Sequence, residues 1–301
     1  MVILESPRRR WSARLLGLCL GFSFSAGFAD PVGVSPRLLV NFSAANGKIA
    51  ESTAVPVEGD TILVVVVAAG ADFSNPKLLQ GSRPVPAKVI GHDPVSRLQF
   101  LQVQSGISPK SFEWLGDTGD SASASLIAMG PGGPVKCRTT GWVKQVGGKI
   151  LPLALFRVTF VGAVPPPGTP LMDDVGRVAA VVFQDAGVAS TGYAIPAEAV
   201  RRVQRDICTS GQLVRGWLGL SLRAETQSPQ VVRVLPESPA SAAGIQPGDV
   251  LVSVGSRQIS DYADAANAFF YLVPGHPVKV KLLRGVDQLE YSLTPTRPVA
   301  K

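Results

Sequence analysis

The chain is short of the residues on which most enzyme chemistries depend: its 301 residues include two histidines, His92 and His276, and three cysteines. There is no Cys/His cluster of zinc spacing, no His-Glu-x-x-His helix and no Gly-Lys-Ser phosphate loop, so neither a metal nor another cofactor is expected. Charged residues make up 17%, against roughly 25% in ordinary soluble domains, and 46% are hydrophobic, which excludes wholesale disorder. Runs of five basic residues are also missing. The first 29 residues hold four arginines and one glutamate, so the formal charge of +7 falls to +4 for the remainder, and nucleic acid is not an expected partner. The apolar stretch Leu15 to Phe28 has 14 residues, fewer than the roughly 20 that a membrane-spanning helix needs.

That stretch follows Arg8, Arg9, Arg10 and Arg14 and ends at Gly27-Phe28-Ala29, the pattern of an export signal cleaved after Ala29. Residues 1–29 therefore read as a signal peptide, and the mature chain as periplasmic or extracellular. Cys19 follows Leu18, where a lipid-attachment signal wants a small side chain. Cys137 and Cys208 have two readings in an oxidising compartment: a disulfide, contributing about 3–4 kcal/mol by restricting the unfolded chain, or two buried thiols.

What the chain has in quantity is glycine (31) and proline (25), and these punctuate short runs of valine, isoleucine and leucine. The runs Thr61–Ala69, Ala87–Ile90, Leu98–Val103, Ser125–Met129, Thr139–Val146, Leu153–Phe160 and Arg177–Phe183 predict strands of a mainly β body. Val64 to Val67 must be deeply buried or paired. Pro196–Ile207 differs, with Ala199, Val200, Val203 and Ile207 at helical spacing, and Thr209-Ser210-Gly211 reads as its stop and a linker. Length suggests about two domains.

The last 90 residues have their own order. Strand Val231–Leu235 leads to a short helix bracketed by Pro239 and Gly244, and Gln246-Pro247-Gly248-Asp249 turns into strand Val250–Val254. A helix is expected at Tyr262–Leu272, ended by Pro274-Gly275, and a hairpin closes around Arg284-Gly285.

At Gly244-Ile245-Gln246-Pro247-Gly248-Asp249-Val250-Leu251 this half resembles a PDZ domain of the kind attached to bacterial HtrA/Deg proteases, over Arg215 to about Thr296. The resemblance implies that a peptide C-terminus adds a strand to the sheet edge, its carboxylate held by backbone N–H groups of Trp217-Leu218-Gly219-Leu220. Arg215 would add positive charge, Leu218 and Leu220 would line the pocket, and Ala268 and Tyr271 would face the groove. A hydrophobic last residue follows. Replacing Gly219 by a β-branched residue should weaken peptide binding with little loss of fold.

The first half resembles the HtrA protease domain at Ile90-Gly91-His92-Asp93-Pro94-Val95-Ser96-Arg97-Leu98, Cys137-Arg138-Thr139-Thr140-Gly141-Trp142, Gly168-Thr169-Pro170-Leu171 and Tyr193-Ala194-Ile195-Pro196. Together these imply a trypsin-like double β-barrel over residues 30–212, followed by a PDZ domain over 213–301. Such a protease needs a serine nucleophile, a histidine base, an orienting aspartate and oxyanion N–H donors. The resemblance lays Pro167 on the serine, Pro165 on the loop's first glycine, Arg97 on the aspartate and Val66 to Ala68 on the histidine. Proline has no N–H, so the oxyanion donors go too. His92 reads as a solvated turn residue, His276 belongs to the PDZ half, and Asp173-Asp174 reads as a turn. Ser190, Thr191 and Ser238 have no histidine nearby in the sequence. The expectation is a pseudoprotease that binds peptide or protein C-termini, a scaffold or regulator of envelope protein quality control. An active HtrA-type protease and further copies of the chain are the other partners the resemblance raises. The alternative is an active serine endopeptidase with an unconventional site, its nucleophile sought first at Thr169 and Ser190.

Overall fold

The computed structural model describes residues 38–44, 47–107, 112–116, 124–130, 132–146, 148–223 and 228–298. The export signal expected at residues 1–29 lies outside them. Seven strands form the first sheet: β1 (Leu38–Ala44), β2 (Ile49–Glu58), β3 (Ile62–Val66), β4 (Ala71–Gln80), β5 (Arg83–Val85), β6 (Lys88–Asp93) and β7 (Leu98–Gln102). Their order is β5-β4-β1-β2-β3-β7-β6. The sheet rolls around Leu38, Val40, Phe42, Leu63, Val65 and Leu101, but its end strands β5 and β6 do not pair.

The valine run is explained by alternation. Successive residues of a strand face opposite sides, so Leu63 and Val65 enter this first core while Val64 and Val66 enter a second one with Leu98, Phe100, Val178 and Val203. Both sides of β3 are therefore covered, and no polar face is needed.

The second sheet closes into a barrel in the order β10-β13-β12-β11-β8-β9. Its strands are β8 (Ser125–Gly130), β9 (Gly133–Val146), β10 (Lys149–Phe160), β11 (Pro170–Met172), β12 (Val178–Val188) and β13 (Thr191–Pro196), around Leu126, Phe156, Val158, Leu171 and Val182. Helix α1 (Ala197–Ser210) starts after Pro196 and stops at Gly211, whose φ of 74° allows its N–H to reach the Ile207 carbonyl. Ala199, Val200, Val203 and Ile207 are fully buried in the core between the two β units. The end of α1 crosses β6 so closely that a side chain at Gly91 would meet the Gly211 carbonyl at 2.5 Å.

The C-terminal part pairs β14 (Leu220–Leu222) with β15 (Val231–Val234), and orders β16 (Val250–Val254), β17 (Arg257–Gln258), β18 (Val278–Arg284) and β19 (Asp287–Leu293) as β17-β16-β18-β19. Helix α2 (Pro239–Ala242) is capped by the Ser238 hydroxyl, which accepts from the Ser241 N–H. Helix α3 (Tyr262–Phe270) is capped by Asp261, which accepts from the Asp264 N–H.

One face of α3 packs on the second barrel. Phe270 joins the core of Leu153, Leu155 and Val200. Where β10 leaves its register with β9, the stranded Ala154 N–H donates to the Asn267 side chain at 3.0 Å. Arg202 of α1 is 4% exposed; it donates to the carbonyls of Val214 (2.9 Å) and Leu272 (3.0 Å) and pairs with Asp206 at 2.6 Å. Asp206 in turn accepts from the Val214 N–H. Lys144 pairs with Asp264 and Glu198 with Arg257, whose guanidinium lies 3.6 Å from the Tyr271 ring centroid.

Candidate functional site

Two places carry the sequence expectations, the seam between the β units and the β14–α3 groove. At the seam, β2 ties the relevant segments together. The Ser52 hydroxyl donates to the Val66 carbonyl, the neighbouring Thr53 N–H donates to the Pro167 carbonyl at 2.8 Å, and the Val67 N–H donates to the Arg97 carbonyl at 2.8 Å. Val67, Arg97 and Pro167 are thus brought into one neighbourhood by segments far apart in the chain.

None of the three has a side chain that serves as a nucleophile, a neutral base or an orienting carboxylate. Val67 is buried at 3% exposure. The Arg97 guanidinium lies 3.8 Å from the Phe183 ring centroid and donates to the Phe183 carbonyl and the Gln184 side chain, at 3.3 and 2.9 Å. Burial lowers its pKa to about 10, still high enough to keep it cationic at neutral pH. A fixed cation would oppose formation of an imidazolium beside it.

The proline loop has no N–H to offer. Pro165, Pro166 and Pro167 lack one, the Gly168 N–H donates to the Val182 carbonyl at 2.7 Å, and the Thr169 N–H donates to the Pro166 carbonyl at 3.2 Å. Gly168 has φ +79°, and a side chain there would lie 2.1 Å from the Thr53 carbonyl. Thr169 is fully buried; its hydroxyl donates to the Pro166 carbonyl and sits 3.3 Å from that of Thr53. Each hydroxyl is held by oxygen, and among the described residues no imidazole hydrogen-bonds to either.

His92 is not the solvated turn residue the sequence suggests. It lies on β6, its ring stacked on Phe73 at 4.2 Å, with Nε2 buried and unpartnered, and burial lowers its pKa. The turn instead belongs to Asp93, which accepts from the Ser96 N–H and hydroxyl at 2.8 and 2.6 Å. Cys137 and Cys208 are not joined. Cys137 faces the inside of the second barrel, where burial pushes its thiol up to about 12, and Cys208 is on the exposed side of α1. Asp173 closes its turn by accepting from the Val175 and Arg177 N–H groups.

The groove holds about 260 Å³ and is lined by Leu220, Ser221, Leu222, Tyr262, Ala266 and Phe269. At its head Gly219 has φ +80°, and a side chain there would lie 2.0 Å from the Ser238 Cβ. The expectation that a β-branched residue would be tolerated at Gly219 therefore fails on steric grounds. The Trp217 N–H is spent on the Thr296 carbonyl at 2.8 Å, whereas the N–H groups of Leu218 and Gly219 have no backbone acceptor among the described residues. Arg215 is exposed beside this loop.

Three pocket expectations change. Leu218 is buried in the core, leaving the groove to Leu220 and Leu222. Ala268 is 2% exposed in the same core, and Tyr271 packs beneath Arg257 on the barrel side. The helical phase explains it: at 100° per residue, Tyr262, Ala266 and Phe269 fall on one stripe at i, i+4 and i+7, while Ala268 and Tyr271 turn away. That spacing was visible in the sequence; the side of the helix facing β14 was not.

A rolled sheet joined to a closed six-stranded barrel, followed by a small domain with a groove between a strand and a helix, has the fold of a trypsin-like double barrel carrying a PDZ-like module. Residues 216–294 match the PDZ domain family. The chain is 27% identical over 242 residues to the probable periplasmic serine endoprotease DegP-like of Chlamydia trachomatis, covering 73% of this chain and 48% of that protein. It is 26% identical over 239 residues to the periplasmic serine endoprotease DegP of Escherichia coli K12, covering 71% and 50%. The chain spans about half the length of these relatives. Among solved structures, the HtrA-type protease AlgW with tripeptide superposes with a TM-score of 0.62 at 21% identity, covering 89% of this chain and 96% of that one. The architecture is HtrA-type, a trypsin-like protease fold followed by a PDZ domain.

Proposed function

We propose that this is an exported HtrA-type pseudoprotease, in which residues 30–212 form a catalytically inert frame and residues 213–301 capture exposed peptide C-termini. The observation that carries the reading is the β14–α3 groove, with the N–H groups of Leu218 and Gly219, which have no backbone acceptor among the described residues, beside it. A peptide added to the edge of β14 would place its carboxylate at those N–H groups and its last side chain against Leu220 and Phe269. Inertness is supported by the proline loop without N–H donors and by Arg97 at the seam, where losing even one oxyanion donor costs about 3 kcal/mol of transition-state stabilisation. The periplasmic names of the relatives support export, with residues 1–29 as signal peptide. In this reading the protein is a scaffold or regulator in envelope quality control, alone, as an oligomer or beside an active relative.

Calorimetric titration with a peptide ending in a free carboxylate and a hydrophobic residue tests the groove. Binding is expected, with loss on amidating the C-terminus and on Ala266→Arg, which fills the groove without touching either barrel. Equal binding of acid and amide would overturn it. A second reading, an active serine endoprotease, is favoured by the relatives' names. It requires that a buried hydroxyl such as Thr169 act without an imidazole.

A further inference from the structure

A peptide seated on β14 has two faces, and only one meets the apolar groove. Pairing antiparallel with β14, the last residue lies opposite Leu220, the third-last opposite Leu222, and the two between and beyond lie opposite Ser221 and Arg223. Residues directly opposite share a face, so the last and third-last side chains enter the groove with Tyr262 and Phe269. The penultimate and fourth-last side chains emerge on the other face with Ser221 and Arg223. On the neighbouring strand Ser221 is paired with Arg233, which continues the same row.

Two cations stand on that face. Arg223 and Arg233 are exposed, and neither belongs to an ion pair among the described residues. Neither β14 nor β15 contains an acidic residue. Strands lie about 4.8 Å apart, so the fourth-last side chain is one strand from Arg223 and the penultimate one is two strands from Arg233, a span that two long side chains can bridge. We propose that the groove selects peptide C-termini with an acidic side chain at the penultimate or fourth-last position, read by Arg233 and Arg223 respectively. This rests on the groove reading above and adds the class of ligand.

The test is fluorescence anisotropy with a set of free-acid peptides that share their last and third-last residues and carry Glu, Ala or Lys at the other two positions. At low ionic strength Glu should bind about two- to five-fold tighter than Ala per position, and Lys more weakly than Ala, as for exposed ion pairs. The preference should fade with added salt. Arg223→Gln should remove it at the fourth-last position only, and Arg233→Gln at the penultimate only. Equal affinity of the Glu, Ala and Lys peptides, with the amidated control still excluded, would overturn the charge proposal and leave the groove intact. Failure of every free acid to bind would overturn both.

Discussion

Arg202 offers the sharpest test of how the groove is mounted on its frame. Its guanidinium donates to two carbonyls C-terminal to α1 and pairs with Asp206, and both side chains are almost fully buried, at 4% and 8% exposure. Arg202→Ala would leave the Asp206 carboxylate without its counter-ion and strand the Val214 and Leu272 carbonyls. Breaking a buried pair by removing one partner costs about 3–5 kcal/mol. For a chain of this size, about 2–4 °C per kcal/mol converts that to a fall in melting temperature of about 6–20 °C. The damage lies at the joint, because the PDZ core around Leu251, Ala265 and Val280 is a separate cluster. Scanning calorimetry should therefore show one cooperative transition splitting in two, with peptide affinity weakened less than stability. A loss below about 1 kcal/mol with a single unchanged transition would refute the reasoning.

Gly219→Ala should destabilise the PDZ part by about 2–4 kcal/mol and abolish peptide capture, since its Cβ would overlap Ser238; urea denaturation and titration check both. On the reading that Val66 to Ala68 and Arg97 take the places of the base and its orienter, Pro167→Ser should remain unreactive towards a fluorophosphonate probe. Arg284→Met should lower thermal stability at neutral pH. Arg284 hydrogen-bonds to buried Asp249 and holds its carboxyl below the ordinary 3.8, so the stabilisation is present above that value. It is lost as pH falls through the lower folded-state value, and the melting temperatures of variant and parent should converge in that acid range.

Much of this was legible in residue pattern. The helix at 197–210 was announced by Pro196, the apolar stripe and Gly211, and the hairpin of β18 and β19 by Arg284-Gly285. Burial of the valine run followed from its lack of alternation. Strands β2 and β4 were not legible: β2 reads Ile-Ala-Glu-Ser-Thr-Ala-Val-Pro-Val-Glu and β4 opens with Ala-Asp-Phe-Ser-Asn, with Pro76 inside it, so polar residues and proline mask their period. Tertiary pairing decides them. In the groove, the strand side was readable at Leu220 and Gly219, but the rotation of α3 depends on which face the barrel claims through Asn267 and Phe270. The buried pair of Arg202 and Asp206, four apart on α1, was not read from the sequence, because its burial depends on the chain that follows α1, whose Val214 and Leu272 carbonyls Arg202 meets.

The central claim is capture without cleavage, and it is tested most directly by incubating the purified mature chain with unfolded casein while titrating peptides that end in a free carboxylate and an apolar residue. The account predicts saturable binding that amidation abolishes, with casein intact. Casein cleavage that persists after rigorous removal of contaminating proteases would contradict it.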